Sequence, residues 1–442
     1  MESHLLIRRA VPVTRDSTVA AGCGPIPAGF PIFVETDGGA IAHEPTVFLA
    51  SQCLGRGSTE YFIVSPSTAM TRAYRLRDFL DYLKSRRISF ENIAANVLFA
   101  YAATMANQVS PHTHELYSSN TIARRVSISV QFCVWLCVKG IVSPQAARGL
   151  RALSDDLSGW SEMPSSRGVR SRKPIRTTLL PTVARRHQPH ILNDEEAKRL
   201  LVAIRTGTGR KTELSAAIRH RNTLMTKLAL CSGLRREEVC ALKIATIHGV
   251  NLGINDDLRL FPINLAKTKN EVRRKVLIPG ALVREMQSFI VKTRTKLCPL
   301  GGKCECAPDE PVFPSSRAPK GSKCVAMSPQ SFGLAVYRGA TQAGLVHEVA
   351  RLGADGTVRS TESAPLLSTH DLRHTYAVWT YLLLRKGGDT NPWLFVQAQL
   401  GHVSSETTIN TYLRAVRMFE NDKSEVIVRF VRALVAMTAQ DS

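Results

Sequence analysis

The chain has 442 residues, of which 44% are hydrophobic, so it can fill two or three domain cores and is not a disordered tail. Its 58 lysines and arginines outnumber 36 acidic residues, which gives a formal charge of +22 and a pI of about 9.9. This excess favours a polyanionic partner such as nucleic acid, although a basic protein that merely stays soluble has the same composition. The sequence contains no run of 18 apolar residues and no secretory signal pattern, so we expect a soluble intracellular protein.

Residues 1–60 are rich in glycine, proline and β-branched residues, with short apolar runs and no helical period. Such a pattern is typical of short strands and loops. We therefore expect an N-terminal appendage that precedes the first domain.

A helical pattern begins at Pro66, where small and apolar residues recur at spacings of four and three. The members of this stripe are Ala69, Ala73, Leu76, Leu80 and Leu83. A second helical segment is expected to start at the capping residue Ser89, followed three residues later by Asn92, and a third to run from about Asn120 to Lys139. The pattern predicts a compact all-helical domain over residues 61–160.

Residues 161–190 form a basic segment between this domain and the next. Seven lysines and arginines lie between Arg167 and Arg186, and the only acid nearby is Glu162 at the start. A segment of this kind can neutralise phosphates, and each neutralised phosphate contributes roughly −0.9 to the salt slope of binding on duplex DNA. We expect a linker that follows DNA, with a plain flexible tether as the alternative.

The last segment, residues 191–442, begins with a strong helix start. Asn193 or Asp194 can cap the helix, acids occupy its first turn, and Leu200, Leu201 and Ile204 lie on its buried side. Further on, residues 259–279 read as two strands joined at the turn KTKN, which predicts a β-hairpin.

Ten cysteines are scattered along the chain, and most read as reduced thiols in protein cores. One local group stands apart: Cys298, Cys304, Cys306 and Cys324. Four thiolates could hold a structural zinc, but this spacing departs from the usual paired C-x2-C pattern. The expected site therefore includes no metal ligand and no cofactor.

Five residues in this last segment have side chains suited to phosphodiester chemistry. They are Arg235 in CSGLRREEV, His370 and Arg373 in THDLRHTYA, His402 in QLGHVSSETT, and Tyr412 in INTYLR. An arginine donates two parallel hydrogen bonds to a phosphate and keeps its charge, while tyrosine can act as a nucleophile. Together these residues can cut a phosphodiester without a metal.

The order Gly-Leu-Arg-x-x-Glu, His-x-x-Arg-His-Thr, Leu-Gly-His and Thr-Thr-x-x-x-Tyr resembles the tyrosine recombinase (phage integrase) family. The resemblance covers roughly residues 191–420, with weaker support back to about residue 61. It implies a mainly α fold with a small antiparallel β-sheet (α+β), in which a helical core-binding domain precedes a tyrosine-recombinase catalytic domain.

The resemblance also implies roles for individual residues. Tyr412 would attack the phosphate, although it lies ten residues after His402 and nine is commoner in the family. His370 would accept or orient the proton that the tyrosine loses. A lysine on the hairpin would protonate the departing 5′ oxygen, and Lys267 is preferred to Lys269.

Two further family residues have supporting roles. Glu238 resembles the structural partner of the first arginine, and His374 is better assigned to packing or capping than to chemistry.

The same resemblance predicts the partners: double-stranded DNA recombination sites, a homotetramer on DNA, and accessory DNA-bending or partner recombinase proteins. An apolar stripe beyond Tyr412 is compatible with a terminal helix that docks on a neighbouring copy. The expected location is the cytoplasm of a bacterium, on the nucleoid. Two alternatives remain: a type IB topoisomerase-like enzyme that relaxes supercoils, and a DNA-binding accessory protein of the same fold that no longer cuts.

Overall fold

The computed structural model describes residues 5–9, 27, 29–36, 39–54, 64–111, 113–152, 189–207, 212–265, 274–300, 304, 306–319 and 321–401. The chain divides into two compact units. The first comprises Met1–Arg186 with Ala350–Ser360, and the second comprises His187–Val349 with Thr361–Ser442.

The first unit is a helical bundle with one antiparallel strand pair. Its elements are β1 (Leu5–Arg9), β2 (Pro31–Glu35), α1 (His43–Cys53), α2 (Pro66–Ser85), α3 (Ala95–Asn107), α4 (Ser119–Val138) and α5 (Pro144–Ala152). Phe33 and Phe48 are fully buried in the same core as Phe79 and Phe132. The described parts of residues 1–60 thus share a core with the bundle, and helix α1 was not expected from their sequence.

The helical stripe from Pro66 is confirmed in α2. Its five small and apolar residues are all buried, and Ser65 caps the helix by accepting a hydrogen bond from the Thr68 N–H at 3.2 Å. The second predicted helix starts later than expected. Ser89 begins only a short 3₁₀ turn over Phe90–Asn92, and the α-helix starts at Ala95.

Helix α4 confirms the third predicted helix within one residue at each end. It is also the one described helix that is long and apolar enough to cross a membrane. However, Val126, Val130 and Cys133 are buried in the core of the first unit. Its apolar character therefore has an explanation in the packing of the bundle.

The second unit is mainly helical. Its elements are α6 (Asp194–Thr206), α7 (Glu213–Ser232), α8 (Arg236–Cys240), α9 (Ile244–His248), β3 (Leu260–Leu265), β4 (Arg274–Pro279), α10 (Gly280–Lys292), α11 (Pro329–Gln342), α12 (Thr369–Lys386) and α13 (Pro392–Leu400). Strands β5 (Val346–Leu352) and β6 (Val358–Pro365) belong partly to each unit, because Ala350–Ser360 is assigned to the first. The predicted fold class, mainly α with small antiparallel sheets, is confirmed, because each described sheet is a two-stranded pair.

Two local predictions in this unit are confirmed. Asn193 caps α6, with its side chain accepting from the Glu196 N–H while Glu196 accepts from the Asn193 N–H. Strands β3 and β4 pair antiparallel, from Leu260 opposite Pro279 to Leu265 opposite Arg274. The turn between them, with Lys267 and Lys269, lies outside the described residues.

Helix α7 positions the candidate site. Its residues Leu224, Leu228 and Ala229 are buried in one core with Ala377 and Val378 of α12. Because α7 packs against α12, the chain that leaves α7 at Ser232 emerges beside the start of α12.

Candidate active site

The turn that presents Arg235 depends on a glycine. Gly233 ends α7 in the left-handed region, with φ +62° and ψ 22°, where residues with a side chain are strained. A Cβ on this glycine would lie 2.4 Å from Cδ1 of Tyr376. Glycine is therefore needed both for the turn and for the close approach of α12.

Arg235 is held at the start of α8 by a buried carboxylate. Its backbone N–H donates to Glu238 Oε2 at 2.8 Å, and its Nη1 donates to Glu238 Oε1 at 2.9 Å. Glu238 is buried, whereas the Arg235 side chain keeps 23% of its surface exposed. The expected partnership is confirmed, and it orients a guanidinium that is still accessible from outside.

A second arginine, Arg274, shares the same carboxylate. From the first position of β4 its Nη2 donates to Glu238 Oε2 at 2.7 Å, while its Nη1 donates to the Gln399 carbonyl at the end of α13. The Gln399 side chain accepts from the Leu277 N–H at 3.1 Å, which also joins β4 to α13. The sequence offered no signal for Arg274, since nothing in Arg-Arg-Lys-Val distinguishes it from its neighbour.

Arg373 is almost completely buried, with 1% of its surface exposed. Its Nη1 donates to the Gly233 carbonyl at 2.6 Å and its Nη2 to the Leu400 carbonyl at 2.5 Å. These carbonyls stand at the C-terminal ends of α7 and α13, where they lack helical partners and carry partial negative charge. Through these two hydrogen bonds, Arg373 links the turn before Arg235 to the end of α13, just before His402.

His370 lies in the first turn of α12. The Ser368 side chain accepts from the His370 N–H at 3.2 Å, and the Ser368 N–H donates to Asp371 at 2.7 Å. Desolvation, and then the positive charges of Arg373 and Arg235, lower the pKa of His370. The imidazole is thus neutral near pH 7 and can accept a proton.

The other histidine of this helix stands one turn further on. The His374 ring lies edge-on to the His370 ring, with 4.6 Å between centroids. This contact limits the orientations open to the His370 ring.

The described structure therefore brings together three of the six predicted site residues: Arg235, His370 and Arg373. Lys267, His402 and Tyr412 lie outside the described residues. Gly401, the residue before His402, ends α13 in the left-handed region at φ +62°.

Positive charge is concentrated in this cluster. Two guanidinium groups, from Arg235 and Arg274, share the buried carboxylate of Glu238, and a third, from Arg373, donates to the nearby Gly233 and Leu400 carbonyls. Two further acids, Asp371 and Glu237, are more exposed than Glu238, and their negative charges oppose the lowering of the His370 pKa. An arrangement of this kind is suited to binding an anion with the geometry of a phosphate.

Comparison with known families agrees with this chemistry. Residues 190–417 match the family model described as the phage integrase family, which is more than half of the chain. The chain belongs to the phage integrase family. The protein is therefore a site-specific tyrosine recombinase, as the motifs from Arg235 to Tyr412 imply.

The comparison with solved structures matches recombinases at low sequence identity. The XerH site-specific recombinase in a post-cleavage complex with palindromic difH substrate is 20% identical, with a TM-score of 0.46, over 80% of this chain and 81% of that chain. A lambda integrase (75–356) dimer bound to a COC′ core site is 13% identical, with a TM-score of 0.42, over 79% of this chain and 89% of that chain. No curated protein matches the sequence.

Proposed function

We propose that the cluster built on Glu238 binds the phosphate of a DNA strand that this recombinase cuts and rejoins. The observation that carries the proposal is the concentration of positive charge: Arg235 and Arg274 share one buried carboxylate, and Arg373 donates to the carbonyl of the turn just before Arg235. Arg235 keeps an exposed edge and contacts the nonbridging oxygens directly, while Arg373 supports them with charge from the interior. Charges that are fixed before the reaction stabilise its transition state without a reorganisation cost.

Tyr412 is the nucleophile in this proposal. Its oxygen attacks the phosphorus, the bond to the 5′ oxygen breaks, and the DNA remains joined through a 3′-phosphotyrosine. Because the ordinary pKa of tyrosine is about 10, its proton must leave during the attack. His402, one residue beyond the αL turn at Gly401, adds a donor to the nonbridging oxygens.

The proton leaves and returns through two different residues. His370 is neutral near pH 7 and accepts or orients the tyrosine proton, since its pKa is lowered by its surroundings. Lys267, on the turn between β3 and β4, donates a proton to the departing 5′ oxygen, which becomes a free hydroxyl. Attack of a 5′ hydroxyl from a partner duplex on the phosphotyrosine then reverses these steps and releases Tyr412.

This chemistry requires neither ATP nor a divalent metal. The energy of the original phosphodiester is kept in the phosphotyrosine, and arginines supply the positive charge that a metal ion would otherwise supply. We therefore assign no cofactor to the cutting reaction.

We further propose that the active form is a homotetramer on two paired DNA sites. Strand exchange needs two cut duplexes held in register, and the apolar stripe after Tyr412 offers a docking surface for a neighbouring copy. The lambda integrase structures include a tetramer bound to a Holliday junction. The helical domain within residues 61–160 and the basic linker over residues 161–190 would hold the duplex with the catalytic domain, on the DNA of the bacterial nucleoid.

The proposal is tested with nicked duplexes made from the ends of the DNA element that carries the gene. A nick next to the cut site lets the short 5′ product diffuse away, so the covalent intermediate accumulates. We expect an SDS-resistant complex with the wild type in excess EDTA, and none with Tyr412→Phe. Tyr381→Phe is the matched control, because Tyr381 stacks on Trp393 with 4.1 Å between ring centroids.

Two outcomes contradict the proposal. An adduct that persists in Tyr412→Phe would place the nucleophile elsewhere. Loss of the wild-type adduct in EDTA, with the fold and DNA binding intact, would show that a metal takes part in cutting.

A further inference from the structure

Four cysteines of the second unit lie together in the segment between α10 and α11. The Sγ atoms of Cys298, Cys304 and Cys324 all lie within 4.8 Å of one another. Cys298 and Cys304 are buried, and all three are free thiols. Residues separated by as much as 26 positions in the sequence, from 298 to 324, thus place their thiols at one point.

Cys306 joins this group through a shared cation. One guanidinium nitrogen of Arg294, Nη1, lies 3.1 Å from Cys304 Sγ and 3.2 Å from Cys306 Sγ. In an extended chain, residues i and i+2 point to the same side, so a Cys-x-Cys segment can place both thiols on one face. Cys306 itself adopts a left-handed φ of +51°, which is uncommon for a residue with a side chain.

We propose that Cys298, Cys304, Cys306 and Cys324 bind one Zn²⁺ ion. Zinc takes four thiolates in a tetrahedron with Zn–S bonds of about 2.3 Å, which places the sulfurs roughly 3.8 Å apart. The three sulfurs lie within 4.8 Å of one another, so binding requires a contraction of at most about 1 Å. Cys306 supplies the fourth ligand by turning from Arg294 toward the same centre.

The charge around the thiols fits a metal centre of this kind. Zinc with four thiolates carries two net negative charges, and a buried centre with that charge needs a cation nearby. Arg294 is fully buried, and its only acidic partner among the described residues is Glu310, at 2.7 Å. Its Nη1 remains directed at the sulfurs, where it can donate to thiolates that are also bound to metal.

The metal would stabilise a long segment that has little regular structure of its own. Between the 3₁₀ turn at Arg294–Lys296 and α11, the described chain contains no helix or paired strand longer than an isolated bridge, and unstructured connections longer than about 15 residues are uncommon in compact domains. This segment nevertheless buries Val312 and Phe313 completely. A metal that binds the folded segment and not the unfolded chain would add its binding free energy to the stability of the fold.

The same segment supports the neighbourhood of Arg235. The Val312 N–H donates to the Leu242 carbonyl at 2.9 Å, and Ile244 N–H donates to the Glu310 carbonyl at 3.0 Å, just after α8. The Pro314 carbonyl accepts from Arg221 of α7 at 2.7 Å. The zinc is therefore a structural ion of the catalytic domain, separate from the residues that handle phosphate.

The test measures zinc directly in the full-length wild type, purified under reducing conditions without added chelator. We expect one zinc per chain by elemental mass spectrometry. Replacement of the zinc by Co²⁺ should give the visible bands of a tetrahedral thiolate complex. The variants Cys298→Ser and Cys324→Ser should lose the metal, whereas Cys231→Ser, which changes a cysteine of α7 outside the group, should keep it.

Cys306→Ser tests the fourth ligand separately. It should release zinc to a chelator faster than the wild type, and an unchanged rate of release would overturn the four-thiolate assignment. A reduced wild type that holds no zinc and gives no cobalt bands would overturn the site altogether. A disulfide within the group in that reduced protein would also overturn it. Because all of these measurements are made on metal binding, they are independent of whether Tyr412 cuts DNA.

Discussion

Two arginine clusters of the second unit are built with opposite charge balances. Around Glu238, the guanidinium groups of Arg235 and Arg274 share one carboxylate, and Arg373 adds a third positive charge nearby. Around Arg294, one guanidinium is paired with one carboxylate and lies against two of the four thiols, which would become negative on binding the proposed metal. The first arrangement is suited to binding an anion, and the second is suited to binding a cation.

The difference shows how a folded chain can keep unbalanced charge near its interior. A buried charge is costly unless hydrogen bonds surround it. For Arg373, the carbonyls at the ends of α7 and α13 accept such hydrogen bonds. The positive cluster should therefore be sensitive to changes in its helix ends as well as in its charges.

The largest effect is expected from Arg373→Ala. The substitution removes the surplus charge nearest the interior and leaves two helix-end carbonyls without their donor. We expect cleavage to fall by roughly 10²- to 10³-fold. The free energy of unfolding should fall by about 2–5 kcal/mol, which a denaturant titration measures.

Arg373→Lys is the matched variant for this prediction, since it keeps the charge but cannot reach both carbonyls with a planar fork. Compared with Arg373→Ala, Arg373→Lys should restore a larger share of the lost cleavage rate than of the lost free energy of unfolding. Equal loss in both variants would mean that charge is unimportant and that the side chain serves only to join the helices.

A smaller effect is expected from Gly233→Ala, which changes a helix end without changing charge. The added Cβ would meet Tyr376 at 2.4 Å, and φ is +62°. Gly344→Ala is the control, because φ is +70° but nothing lies within 4 Å of the added Cβ. Gly344→Ala should cost about 1–2 kcal/mol of unfolding free energy for left-handed strain.

Gly233→Ala should cost about 1–3 kcal/mol more than this control, because of overpacking, and it should also slow cleavage through displacement of Arg235. Thermal or denaturant unfolding measures the difference between the two variants. If both lose the same stability and cleave equally well, the close approach of α12 does not position Arg235.

The smallest effect concerns pH. The charged or titratable groups around the His370 ring are Arg373, Asp371, Arg235, Glu237 and His374. Desolvation and the two arginines lower the pKa of His370 below 6.5, so its neutral form persists to lower pH than for an ordinary histidine. We expect the cleavage rate to rise with pH and to reach half its maximum below about pH 6.5.

Glu237→Gln sharpens this prediction. Glu237 raises the pKa of His370, so its loss should move the pH profile to still lower pH. The free energy of unfolding should also fall at low pH, because the pKa of His370 is lower in the folded than in the unfolded protein. The loss begins as the pH falls below the unfolded pKa and is complete below the folded pKa. A wild-type midpoint above 6.5 would contradict the proposed neutral imidazole.

The sequence predicted those elements whose local pattern agrees with their packing. The apolar stripe of α2 and the start of α6 at the capping residue Asn193 were both predicted, and both are confirmed. Helix α1 was missed because its apolar residues cover almost its whole circumference, where burial among other helices replaces a periodic signal.

The candidate site was predictable only where short motifs carry it. Arg235, His370 and Arg373 stand in such motifs, and the structure brings them together. The role of Arg274 could not be foreseen, because it depends on the pairing of β4 with the end of α13, which is a long-range contact. The burial of Arg373 against the ends of two helices could not be predicted either, because it also depends on long-range contacts.

The central claim is that the guanidinium of Arg235 balances the negative charge of the phosphate during cleavage, and one experiment tests it directly. Arg235→Ala leaves Glu238 paired with Arg274, so the fold should persist while cleavage falls. A DNA substrate with a neutral methylphosphonate at the cut site carries no charge for Arg235 to balance. We predict that Arg235→Ala, with Tyr412 intact, forms the covalent adduct with this substrate at nearly the wild-type rate; a defect as large as on ordinary DNA would contradict the claim.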